Sequence, residues 1–164
     1  MLLQLQSLFT GEKEKLPIDC ILDFSSVEWN GERPFQSPVR VSGSVVQSAG
    51  VVTLKAIVAY RYDGTCDRCA GEVHREATFP MEHILVVSLN HEDNDSFVLI
   101  ENDQLPLDDL VEEDLLLNQP SKILCMEDCR GLCPQCGQNL NQGLCGCRQE
   151  TVDPRLAILK QLLD

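Results

Sequence analysis

The stretch Val39-Arg-Val-Ser-Gly-Ser-Val-Val-Gln-Ser-Ala-Gly-Val-Val-Thr-Leu-Lys-Ala-Ile-Val-Ala-Tyr-Arg-Tyr62 decides the fold class. Val39, Val41, Gly43 and Val45 alternate with Arg40, Ser42 and Ser44. A period of two turns one set of side chains toward a core and the other toward water, which is the signature of a half-buried strand. Val51 to Tyr62 is rich in β-branched residues, and Ala49-Gly50 between the two runs reads as a hairpin turn. Moving outward, Glu72 to Phe79 and Met81 to Leu89 read as further strands. Pro80 lies at a bend or edge between them, since proline cannot donate to a central ladder. His91 to Ser96 is a polar acidic loop, and Phe97 to Ile100 is a short strand. Residues 16–100 thus read mainly as strands. Cys20 stands alone in such a run, as a small buried residue.

Downstream the period changes. Leu107, Leu110, Val111 and Leu115 fall on one face of a helix over Leu107–Leu117. Asp108 and Asp109 suit its first turn, where acids favour the helix dipole, and Pro120 prevents continuation. Asp153-Pro154 opens a second helix as N-cap and first helical residue, with Leu156, Leu159 and Leu163 as its apolar stripe. The fold class expected is α+β. It comprises an antiparallel β-rich sheet, or a partly closed barrel, of about six strands, with two short helices and a cysteine-rich zinc-knuckle segment. Residues 1–121 form the β-rich domain with the acidic helix. Residues 122–164 form the cysteine-rich segment and terminal helix, packed on the first part.

The 164 residues are 43% hydrophobic and 24% charged, which excludes a wholly disordered chain. No apolar run approaches the ~18 residues of a membrane helix. The start, MLLQLQSLFT, has no basic residue before its apolar stretch and does not read as a signal peptide. A cytoplasmic location is expected. The net charge is −13, and from Glu76 to Ser121 there are 12 acidic residues and no Lys or Arg. Such a stretch is either a solvated surface or a docking face for a basic partner, and it repels a phosphate backbone. Glu112, Glu113 and Asp114 are its candidate docking residues.

Nine cysteines in a reducing compartment point to metal ligands rather than disulfides. Lys122 to Thr151 has few large apolar side chains but six cysteines, so something other than a hydrophobic core must organise it. Cys133-Pro-Gln-Cys136-Gly is a zinc-knuckle turn, and Cys145-Gly-Cys147 can supply two more thiolates to a closed structural zinc site. An iron–sulfur cluster and unmetallated thiols are the other readings of that set. Cys66-Asp-Arg-Cys69 is either a redox dithiol or half a metal site. A redox motif should open a helix, whereas the residues that follow read as a strand. Cys125 and Cys129 are the unclaimed pair, so residues 66, 69, 125 and 129 form the second candidate zinc site. The competing arrangement joins Cys129 to the Cys133/Cys136 knuckle and leaves Cys66 and Cys69 free.

Nothing else reads as catalytic. His74 and His83 are ordinary strand histidines, and His91 lies in a solvated loop. There is no GxSxG, HExxH, P-loop or Gly-rich dinucleotide turn. No enzyme activity and no small-molecule substrate are expected.

Cys125-Met-Glu-Asp-Cys129-Arg-Gly-Leu-Cys-Pro-Gln-Cys-Gly-Gln-Asn-Leu-Asn141, then Cys145-Gly-Cys147 and Asp153-Pro-Arg-Leu-Ala-Ile-Leu-Lys160, resemble the YceD family of large ribosomal RNA subunit accumulation proteins. Cys66-Asp-Arg-Cys69 is similar to that family's other recurring motif. The resemblance is specific over residues 125–160 and loose over 1–60. It implies a bacterial or plastid protein, in the stroma if from a plant, needed for accumulation of large-subunit ribosomal RNA. Some members of the family lack most of the C-terminal cysteines while keeping the Cys66/Cys69 motif. The function expected is a non-enzymatic assembly factor binding a basic ribosomal protein or a pre-ribosomal large subunit. The alternatives are an RNA-binding module using Arg61, Arg68, Arg75, Arg130 and Arg148 with Tyr60 and Tyr62 as stacking groups, and a thiol redox protein using Cys66 and Cys69.

Overall fold

The computed structural model describes residues 1–88 and 97–147. Its elements in chain order are β1 (Leu2–Gln4), α1 (Gln6–Phe9), β2 (Lys15–Leu22), β3 (Val39–Ser48), β4 (Val51–Thr65), β5 (Glu72–Val86), β6 (Phe97–Leu99), β7 (Gln104–Pro106) and α2 (Leu107–Leu117). Strands β2-β3-β4-β5-β6 make one sheet in that order, and β1 pairs with β7 in a separate ribbon. Among the described residues no helix is long and apolar enough to cross a membrane.

The alternation that opens the sequence sets the sheet. Val39, Val41 and Val45 are buried, as are Val52, Leu54, Ala56, Val58, Tyr60 and Tyr62 across the hairpin. Ala49 and Gly50 both take positive φ, 50° and 82°, the two-residue turn whose twist matches a β-hairpin. Gly43 pairs with Ala56, and a Cβ there would collide with the Lys55 carbonyl and the Ala56 backbone, so the two strands approach as closely as they do because residue 43 has no side chain. Helix α2 lays Leu107, Leu110, Val111 and Leu115 into the same apolar cluster, with Leu8 of α1, Leu5 just before it and Leu105 of β7. These four helical residues are the face that the sequence period predicts.

Three expectations are corrected. The five-stranded sheet is open rather than a barrel, because among the described residues β2 and β6 each pair with one neighbour only. It is also mixed, since β6 runs parallel to β5, pairing Phe97 to Leu99 with Ile84 to Val86. Alternation reports which face a residue occupies and not which way a strand runs, so the sequence was silent on this point. Finally, the two runs divided at Pro80 form the single strand β5. The Ile100 N–H donates to the Val86 carbonyl on the side away from β4. A period of two then points the position lacking an N–H at Pro80 in the same direction, toward an edge with no strand pairing there among the described residues. The terminal helix expected from Asp153 lies outside the described residues, as does the His91 to Ser96 loop.

Candidate metal centres

Strand β4 ends at Thr65 and β5 begins at Glu72, so Cys66 to Cys69 form the tip of the longest hairpin. The tip is closed by the Cys66 N–H to the Gly71 carbonyl (2.8 Å) and the Ala70 N–H to the Cys66 carbonyl (2.9 Å), with Ala70 at φ 51°. The turn leads into a strand and opens no helix. Cys125 and Cys129 come to this tip from the segment after α2. Cys66 Sγ lies 3.8 Å from Cys129 Sγ, and Cys69 Sγ 3.6 Å from Cys125 Sγ. Four thiolates about 2.3 Å from one ion would stand about 3.8 Å apart at the corners of a tetrahedron. A disulfide needs about 2.05 Å, and all nine cysteines are free. The two residues inside the turn fasten the two halves together. Asp67 accepts the Ile123 N–H (2.6 Å) while its own N–H donates to the Ile123 carbonyl (2.9 Å), and Arg68 donates from Nη1 to the Cys129 carbonyl (2.9 Å). Gly131, at φ 73°, packs so close to the Arg68 carbonyl that a Cβ would sit 2.9 Å from it.

The second group is local in sequence. Cys133, Cys136, Cys145 and Cys147 bring their sulfurs within 4.8 Å of one another. The Cys133 N–H donates to the Gln138 carbonyl and the Gly137 N–H to the Cys133 carbonyl, with Gly137 at φ 73° as the tight return after Cys-x-x-Cys requires. Each group has one thiol brought down to about 6, and in the first group the Asn141 amide lowers Cys129 as well. Burial pushes Cys66 up, but the N–H groups of Arg68, Cys125 and Cys69 outweigh it and bring the thiol down to about 6. The N–H groups of Cys136 and Gln135 bring Cys133 down to about 6. Cys125 and Cys147 move the other way. Burial, with Cys129 and Cys69 beside it, pushes Cys125 up to about 12, and Cys136 beside Cys147 does the same there. A set of four thiols of which one ionises readily and another resists is a set short of positive charge, and a divalent cation supplies it. Both groups of four can hold a metal ion, and each would be closed, with no position left for a substrate.

The remaining candidates are dispersed. Arg61 and Arg75 sit on opposite faces of the sheet, since Arg61 pairs with Glu76 and Arg75 with Tyr62. Arg61 bonds Asp63 at 2.9 Å, and Arg68 is engaged at the first group. Arg130 is exposed, and Arg148 lies outside the described residues. Tyr60 and Tyr62 are not stacking platforms. They are 8% and 4% exposed and make edge contacts with Phe35, Phe79 and Trp29. Among the docking acids, Glu113 is exposed and Glu112 half-buried, whereas Asp114 turns inward to His83 Nε2 at 2.7 Å with only 13% of its side chain exposed. By sequence Asp114 reads as a surface charge within the acidic stretch from Glu76 to Ser121. Sequence reading gave no role to Asp67, and it assigned Arg68 to RNA although the position between two ligands already pointed to the site.

An open mixed sheet whose longest hairpin ends in half of a four-cysteine group, completed by a compact segment carrying a second such group, defines a β-rich protein with two cysteine clusters that could each hold a metal ion. Its family is settled by comparison. The model of the family described as large ribosomal RNA subunit accumulation protein YceD matches residues 54–163, and the chain belongs to the YceD family. Membership suggests a role in accumulation of the large-subunit ribosomal RNA. Comparison with curated proteins and with solved structures finds no match.

Proposed function

We propose that this chain is a non-enzymatic factor of large ribosomal subunit assembly. Two structural zinc ions hold its cysteine-rich segment on the sheet, and its acidic side receives a basic ribosomal protein, alone or on a pre-ribosomal particle. The observation that carries the docking role is the span from Glu76 to Ser121, with 12 acids and no Lys or Arg. Within it α2 has Asp109 and Glu113 exposed, and no basic residue in its last turn. A basic surface is steered to such a face, and the attraction fades over a Debye length of about 10 Å at 0.1 M salt. The choice of zinc is supported by the all-thiolate donor sets, the knuckle turns and the closed tetrahedral spacing.

The test is recovery of partners by affinity purification across a salt series, with and without ribonuclease, alongside metal analysis of the purified protein. Salt-sensitive, ribonuclease-resistant recovery of a basic large-subunit protein and close to two zinc ions per chain are expected. Recovery abolished by ribonuclease would replace docking by RNA binding, and iron in place of zinc would overturn the metal assignment.

A further inference from the structure

Asn141 belongs to the return loop of the second group, between Cys136 and Cys145, yet its side chain ends in the first. Its Oδ1 accepts the Arg130 N–H at 2.7 Å. A backbone N–H can only donate, so this contact fixes the amide orientation and leaves Nδ2 facing Cys129 Sγ at 3.3 Å. The loop holds Asn141 in place: the Asn141 N–H donates to Asn139 Oδ1 (3.0 Å), and the Leu140 N–H to the Gly131 carbonyl (2.9 Å). Leu132 bridges to Asn139. The first group therefore has two kinds of support. Asp67 and Arg68, at the hairpin tip, bond its backbone at Ile123 and Cys129 without using the 133–147 loop. Asn141 reaches its sulfur only when the 133–147 loop is folded, and that loop has no apolar core to fold on.

We infer that Asn141 couples the two metal centres: filling the second group folds the loop that delivers its amide to Cys129, and this tightens the first. The inference rests on reading both groups as metal centres. An N–H···S bond disperses the charge of a coordinating thiolate and fixes its direction, and losing such a support typically costs 10–100-fold in metal affinity. Coupling of this form is reciprocal, so a filled first group equally favours the second.

The experiment uses the full chain with Zn²⁺ titrated against a chromophoric chelator, and Co²⁺ as the spectroscopic probe. Asn141→Ala is expected to weaken the zinc site that fills second by roughly 10–100-fold, whichever group that is, and leave the site that fills first unchanged. Asn141→Asp keeps the acceptor for Arg130 and removes the donor, and is expected to weaken the same site at least as much. The double variant Cys145→Ser with Cys147→Ser leaves only the first group. That group should be weakened by a similar factor, with little further loss when Asn141→Ala is added. At saturation the Co²⁺–thiolate absorption of the first group should shift in Asn141→Ala, which a merely loosened loop would not produce. Two sites of unchanged affinity in Asn141→Ala, or a first group indifferent to loss of Cys145 and Cys147, overturns the coupling alone. A wild-type chain that takes up neither ion overturns the metal-centre reading itself, before any variant is made.

Discussion

Gly43 carries its role in what it lacks. Its Cα faces Ala56 across the β3–β4 ladder, and any side chain would meet backbone atoms that cannot swing aside. Gly43→Ala is expected to destabilise the protein by about 1–3 kcal/mol, seen as a lower denaturant midpoint. Ala49 is the opposite case. It holds a positive φ that costs a Cβ-bearing residue about 1–2 kcal/mol, in a turn whose preferred sequence is Asn-Gly. Ala49→Asn is therefore expected to raise stability by about 0.5–1 kcal/mol, measured the same way. Both residues were visible in the sequence, but only as a glycine inside an alternating run and a weak turn. Which atoms oppose residue 43 is a fact of register, and register appears only when the partner strand is in place.

At the scale of elements, α2 was legible because its pattern is complete. Four apolar residues repeat at helical spacing, two acids occupy the first turn, and a proline follows the end. β5 was legible as two pieces, because proline is ordinarily a stop, and it proved to be one because an edge asks nothing of an N–H that is missing. The parallel direction of β6 and the pairing of β1 with β7 rest on three-residue strands, too short to show a period. The grouping of the cysteines in two fours was legible from spacing, whereas Asp67 and Asn141 act through distances that no spacing encodes. For α2 itself, replacing Glu112 and Glu113 by Lys is expected to slow association with a basic partner several-fold at low salt, since rim charges act chiefly on the association rate. The fold should change by less than ~1 kcal/mol, because exposed charges contribute little to stability. Asp114 is left out of that variant, because its bond to His83 joins α2 to β5.

For the whole molecule, the first cysteine group ties the tip of the sheet to the segment after α2. Cys66→Ser is expected to lower the zinc content by one and to expose residues 122–132 to proteolysis, measured by metal analysis and by mapping the cleavage sites. Acid should act in the same direction. Cys66 and Cys133 ionise near about 6, so each is a thiolate above that value and takes up a proton as the pH falls through it. Protons and metal compete for the same sulfurs, so zinc affinity is expected to fall as the pH falls, and more steeply below about 6, where Cys66 and Cys133 are protonated as well. Chelator competition at several pH values measures this, and retention that did not fall with acid would contradict it.

The hairpin tip has a further consequence, in time rather than in space. Cys66 and its partner Cys129 stand 63 residues apart in the chain, and Cys69 and Cys125 stand 56 apart. At synthesis rates of about 5–20 residues per second, the first pair leaves the ribosome roughly 3–13 s before the second is complete. A hairpin forms in about 1–10 μs. For several seconds of every synthesis cycle, then, the nascent chain displays a finished β-turn bearing two thiols, before Cys125 and Cys129 exist to face them. The newborn protein is a thiol-bearing chain first and a metalloprotein candidate only when its last third has emerged.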